Sequence, residues 1–267
     1  MADSVKVYAR IVAARLRSQT EYRLSFALDL LADVITQATE LLVIVVLFSQ
    51  VHALGGIDRT GVLLVYALAG TSFGLADLVA GQISGLSGYL LSGRFDCLLI
   101  RPMSTLGQIL TSDVALRHIG RVVFALAVAG YVLHTADVHW TVGRVVLAVV
   151  APVCGAAILS AIWVVSSSLA FWLLDAQEVT GAVTHGTNLF ISYPAATYPR
   201  YLRAIFAFAI PGAFVSYYPA LYLLGQPDPL GGPAALCWLT VPIAAASTAL
   251  AAVVWRLAVR GYQGTGS

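Results

Sequence analysis

Thirty consecutive residues, Val145–Leu174, contain no charged side chain. As a helix rising about 1.5 Å per residue, such a run exceeds the roughly 30 Å hydrocarbon core of a bilayer. The whole chain follows the same rule: 59% of its residues are hydrophobic and 10% are charged, whereas an ordinary globular domain carries about 25% charged residues. A water-exposed exterior cannot be built from that supply, but lipid accepts Leu, Val and Ala as an outer face. The chain is therefore expected to be an all-α integral membrane protein forming a single transmembrane domain over residues 1–267.

Six apolar segments are long enough to be read as spans: Leu24–Val51, Val62–Ala80, Gly120–Ala136, Val145–Leu174 (interrupted at Pro152), the polar-spotted Val179–Ser192, and Ala234–Val259. Asp175 and Glu178 mark a turn at the membrane surface between the fourth and fifth. Residues 1–23 place Val5, Tyr8, Ile11, Val12 and Leu16 opposite Lys6, Arg10 and Arg17 on a helical wheel, the pattern of an interfacial helix, with a solvated basic tail as the alternative. The polar start Met1-Ala2-Asp3-Ser4 shows no cleavable signal pattern, so the first hydrophobic segment is expected to be retained. Residues 82–121 are rich in Gly, Ser and Arg and are expected to form an aqueous loop with short helices. The segment Ala204–Gly225 holds Pro211 and Pro219 within an aromatic, apolar run. A lipid-facing helix tolerates two such prolines poorly, so residues 193–232 are expected to fold back as an outer, re-entrant segment.

Basic residues choose the parity. With six spans, eleven of the fifteen Lys and Arg residues fall on one side, and only Arg59, Arg144, Arg200 and Arg203 fall on the other. The positive-inside rule then makes both termini and the 82–121 loop cytoplasmic.

Several chemistries are missing from the sequence. Lys6 is the only lysine and no GxxxxGK[ST] pattern occurs, so the chain has no phosphate-cradling loop for ATP. No HExxH or CxxC occurs, the five histidines have no ligand spacing, and Cys97, Cys154 and Cys237 lie far apart. Catalytic residues, metal sites and cofactors are accordingly not expected in this chain.

Two features remain. Asp29, Asp33 and Gln37 recur every four residues with Glu40 one turn on, giving the first span an acidic face. A carboxylate near the bilayer centre costs roughly 2.5–3.5 kcal/mol on insertion scales, so this face must turn to protein or water. Asp33, Gln37 and Glu40 are candidates for a wet pathway or subunit seam, against pairing with Arg15, Arg23, Arg117 or Arg121. Gly70 with Gly74, and Gly81 with Gly85, form small-xxx-small pairs that permit close helix contact, either between subunits or within one bundle.

Two stretches resemble a known family. Gly93-Arg94-Phe95-Asp96-Cys97-Leu98-Leu99-Ile100-Arg101-Pro102 resembles the loop between the second and third spans of ABC transporter permeases of the type 2 exporter class. Tyr193-Pro194-Ala195-Ala196-Thr197-Tyr198-Pro199, continued by Pro211 and Pro219, resembles their outer re-entrant region, though it is more aromatic and less glycine-rich than in drug-exporting relatives. The resemblance runs over nearly the whole chain. It implies a permease subunit in a bacterial inner or plasma membrane, which pairs with a second copy or homologue and docks on a separate ABC ATPase that holds ATP and Mg²⁺. It also implies a coupling helix near Gly85–Arg94. On that mapping Tyr89, Leu90, Leu91, Arg94, Phe95, Asp96, Arg101 and Pro102 form the docking surface, with Tyr89, Leu90, Leu91 and Phe95 as exposed apolar anchors and Asp96 and Arg101 holding the loop's shape. The alternative for the loop is a helix resting on the inner leaflet. The alternatives for the protein are a stand-alone secondary transporter, whose duplicated halves are not visible here, and a non-transporting scaffold.

Overall fold

A helix that is apolar around its whole circumference has to lie inside a bundle, and Gly61–Gly74 is such a segment. In the structure, a computed structural model that describes residues 23–112, 118–173, 176–205 and 210–262, every one of these residues is buried. They belong to α2 (Arg59–Ala80), which follows α1 (Arg23–Gln50). Asp58 starts α2 by accepting a hydrogen bond from the Gly61 N–H at 2.9 Å. Beyond Ala80 the chain tightens into a 3₁₀ turn, Gly81–Gly85, and continues as three short helices: α3 (Leu86–Leu91), α4 (Arg94–Leu99) and α5 (Thr105–Leu110). The polar 82–121 region is thus helical in pieces, as its composition implies.

Around α2 pack α6 (Ile119–Thr135), α7 (Val142–Ser168) and α8 (Ala176–Ser192). After α8 come the short α9 (Arg200–Ala204), a 3₁₀ turn at Gly212–Phe214 and α10 (Tyr217–Leu224); α11 (Thr240–Arg260) then runs along α7. The protein is an all-helical membrane protein with four stretches among the described residues long and apolar enough to cross a bilayer: Ala27–Gln50, Arg59–Leu91, Val142–Phe171 and Ala234–Arg260. The two intervening helices, α6 and α8, have 17 residues each, or about 25 Å at 1.5 Å per residue. The N-terminal interfacial helix expected over residues 1–23 lies almost wholly outside the described residues, as do Arg117 and residues 206–209 of the 204–225 segment.

The glycine pairs answer the question their spacing poses. A Cβ on Gly74 would stand 2.6 Å from Val122 Cγ2, and one on Gly70 would stand 3.1 Å from the Ala125 Cβ. Both glycines therefore admit α6 of the same chain, the within-bundle alternative for this pair. Gly81 faces its own Asp77 side chain, and Gly85 faces open space.

The outer surface of α1 is inverted relative to a soluble helix. Leu28, Leu31, Ile35, Leu42, Val43 and Val46 are exposed, while Gln37 and Ile44 are buried. The hydroxyls on the exposed face close onto their own helix: Thr36 donates to the Ala32 carbonyl and Thr39 to the Ile35 carbonyl. A face with apolar side chains outward and every hydroxyl satisfied internally suits lipid rather than water.

Candidate functional sites: an inner loop, a buried polar seam and an outer cap

The 85–102 loop, the inner one in the expected orientation, is built around one aromatic side chain. Phe95 on α4 is fully buried and meets Phe171, just beyond α7, edge-on at 5.2 Å between centroids, and Tyr262, just beyond α11, at 5.1 Å. Phe171 in turn packs against Trp255 of α11 at 5.6 Å. These edge-to-face contacts join the loop to the ends of two long helices. Leu90 is buried with them. The expectation that Leu90 and Phe95 are exposed anchors is therefore corrected: both are buried, Phe95 beneath the rings at the ends of α7 and α11. Burial raises the Tyr262 phenol above its ordinary value, and the neighbouring Asp96 carboxylate adds to the shift.

What the loop leaves in the open is different. Leu91 is 67% exposed and Ile100 84% exposed, with Leu99 also exposed and Arg94, Asp96, Arg101 and Pro102 around them. Tyr89 is half-buried, and the Arg94 guanidinium stacks over its ring at 4.8 Å from the centroid. Among the described residues no ion pair joins Asp96 to Arg101. Gln108 of α5 holds the turn instead: buried, it donates through Nε2 to the Leu98 carbonyl at 3.0 Å and the Met103 carbonyl at 3.1 Å.

The acidic face of α1 turns inward. Gln37 is buried, and the Tyr66 hydroxyl of α2 shares its hydrogen between the Gln37 backbone carbonyl at 2.8 Å and Oε1 at 2.9 Å. One turn toward the inner end, Asp33 and Asp77 flank His118 at 3.4 and 3.8 Å. Arg121 of α6 stands among the carboxylates: Glu40 exerts the strongest attraction on it, with Asp77 and Asp33 contributing. Its guanidinium donates to Asn188 Oδ1 of α8 at 2.9 Å and lies over the Phe73 ring at 4.1 Å. Glu40 also lies beside the phenols of Tyr66 and Tyr193. Asp33, Gln37 and Glu40 thus form one polar seam where α1 faces α2 and α6. Asp29 remains exposed.

At the far end, residues distant in sequence lock together. Gly55 has φ of +60°, and a Cβ there would stand 2.9 Å from the Thr197 nitrogen, so only glycine lets the α1–α2 loop reach the 194–197 turn. Gln226 donates to Asp58 Oδ1 at 2.8 Å. Tyr198 donates to the Leu189 carbonyl and packs on Phe190 at 4.7 Å. Ser216 donates to the Ile191 carbonyl, and Thr240 donates to the Phe214 carbonyl. Tyr217 donates to Asp228 Oδ1 at 2.6 Å, and the same carboxylate accepts the Leu230 and Gly232 N–H groups. Pro194 and Pro219 are buried, Tyr193 and Pro211 half-buried, and Pro199 exposed.

A family model described as ABC-2 family transporter protein matches residues 34–266. The chain belongs to this ABC-2 transporter family. Neither a curated protein nor a solved structure matches it. In this ABC-2 membrane component the matched region contains the inner loop, the seam from Val34 onward and the outer cap. Sequence reasoning placed all three segments but missed the side chains that anchor them. Gln108, Phe171, Trp255 and Tyr262 carry no local pattern that announces their partners. The one available signal was a concentration of aromatics at the inner ends of two spans.

Proposed function

We propose that this ABC-2 protein is the permease subunit of an ATP-driven exporter, that it forms the translocation pathway as a dimer, and that its 85–102 loop docks a separate ATPase. The observation that carries this reading is the loop's division of labour. Phe95 and Leu90 bind it inward, whereas Leu91, Leu99 and Ile100 face outward beside Arg94, Asp96, Arg101 and Pro102. Exposed aliphatic side chains ringed by polar ones are the composition of a docking patch. A force on this patch passes through Phe95 to Phe171, Tyr262 and Trp255, and so to the inner ends of α7 and α11. The chain itself performs no chemistry on this reading; ATP and Mg²⁺ belong to the partner.

In the same reading α6 and α8 join the four longer stretches as spans, giving six, with both termini and the 85–102 loop cytoplasmic. Helix α10 has eight residues, about 12 Å, a length suited to a segment that dips into the membrane and returns. Asp33, Gln37 and Glu40 line the polar path or the seam beside it, as their turn away from the apolar face of α1 favours.

Affinity purification of the tagged chain from its native host tests the assignment: an ATPase subunit is expected to co-elute. A chain that elutes alone and still transports in vesicles without ATP contradicts it. Orientation has a built-in reporter, because Cys97 is exposed in the loop whereas Cys237 is buried. A membrane-impermeant maleimide is expected to label Cys97 in opened vesicles and not in intact cells.

A further inference from the structure

Arg256 and Arg260 lie one turn apart on one face of α11. Both are exposed, and among the described residues neither guanidinium has an ion-pair partner. Beside them α11 and the start of α5 enclose a cavity of about 400 Å³, whose lining adds Thr105, Leu106, Ala252 and Val259. Trp255 joins the two walls by donating from Nε1 to Thr105 Oγ1 at 3.2 Å. Because that hydroxyl accepts from the indole, its own hydrogen remains available for donation. Two guanidinium forks and a hydroxyl donor beside an aliphatic wall at a membrane-facing helix end match a phosphodiester with the first carbons of its acyl chains. The other arginines near cavities or clusters are already engaged. Arg144, beside the outer cavity, donates to the His139 and Tyr222 carbonyls, and Arg121 sits among carboxylates.

We propose that the cavity between α5 and the C-terminal end of α11 binds the phosphate of an anionic phospholipid. With the orientation proposed above, that lipid belongs to the inner leaflet. Two close cations favour a headgroup of net negative charge over a zwitterionic one, so the site selects phosphatidylglycerol-like lipids over phosphatidylcholine.

Native mass spectrometry of the full chain in detergent micelles tests this, with added phosphatidylglycerol, phosphatidylcholine or inorganic phosphate as probes. The wild type is expected to retain phosphatidylglycerol about thirtyfold better than phosphatidylcholine, since each of the two surface cations contributes about 1 kcal/mol toward an anionic lipid. Millimolar inorganic phosphate is expected not to displace it. The double variant Arg256→Gln/Arg260→Gln is expected to lose that preference, Arg256→Lys/Arg260→Lys to keep most of it, and Arg59→Gln at the opposite end of the bundle to leave it intact. Absence of the preference in the wild type overturns the proposal, as does its survival in the glutamine variant or equal loss in Arg59→Gln. Displacement by inorganic phosphate overturns the lipid assignment in favour of a free-phosphate site. If the glutamine variant fails to fold, Thr105→Glu places a competing carboxylate in the same cavity, and unchanged lipid selectivity there is equally fatal. None of these arms involves the ATPase, so failure here leaves the transporter reading standing.

Discussion

The inner loop and the outer cap are both short, broken and rich in turn residues, yet they are held in opposite ways. The outer cap is tied at many points by hydrogen bonds between distant segments: Gln226 to Asp58, Ser216 to Ile191, Thr240 to Phe214, and Tyr217 to Asp228. The inner loop is held by one aromatic plug, one glutamine and the buried aliphatic side chains of Leu90, Leu98 and Ile109, and leaves Leu91, Leu99 and Ile100 uncovered. The difference separates a region that is finished within one chain from a region that presents a surface. Buried polar groups need internal partners, which the cap supplies, whereas an exposed aliphatic patch calls for an external one.

The sharpest way to break this comparison is at the plug. Phe95→Ala empties a fully buried ring site, and such truncations cost about 3–5 kcal/mol. The variant is expected to melt far below the wild type in detergent and to release the loop to proteolysis; a melting temperature within a degree or two of the wild type would return Phe95 to the exposed surface. At the cap, Tyr217→Phe removes a hydrogen bond to a carboxylate, a loss of about 1.5–3 kcal/mol. Thermal denaturation should register it, with the inner loop's protease sensitivity unchanged. If both change together, the two regions are not independently held. Gln108→Leu, which keeps the side chain's size, deprives two carbonyls of their donor and is expected to cost about 1–2 kcal/mol, visible as faster hydrogen exchange around 98–103. Smallest of all is the stability effect of Leu91→Ala/Ile100→Ala. Both side chains are mostly exposed, so the change should stay within about 0.5 kcal/mol.

The four longest spans were legible in the sequence because hydrocarbon imposes a length and a composition that few other environments share. The run Val145–Leu174 could hardly be anything but membrane helix, and α7 with its 3₁₀ extension occupies it to Phe171. The inward turn of the acidic face was legible for the same reason, since Gln37 and Glu40 could not face lipid. Their partners were not legible: His118 between Asp33 and Asp77, and Arg121 beside Glu40, are brought in by α6 from some 80 residues away. Phe95 was misjudged on similar grounds. In the run from Tyr89 to Ile100 the apolar residues recur on every side, so the local pattern cannot distinguish buried from exposed positions. Phe171, Trp255 and Tyr262 make the distinction, and they arrive from the ends of α7 and α11. Gly70 and Gly74 show the limit of spacing alone, which specifies close approach without naming the approaching helix.

The central claim is that the uncovered residues of the inner loop are the docking surface, and the affinity of the permease for its ATPase tests it most directly. The measurement compares reconstituted wild type with Leu91→Ala/Ile100→Ala, a variant expected to insert and melt normally. Loss of central apolar anchors costs about 2 kcal/mol or more, so the account predicts affinity weakened by about thirtyfold or more, together with loss of ATPase-coupled turnover. Unchanged affinity and unchanged coupled turnover in a normally folded double variant would contradict it, and would place Leu91 and Ile100 against the inner leaflet instead.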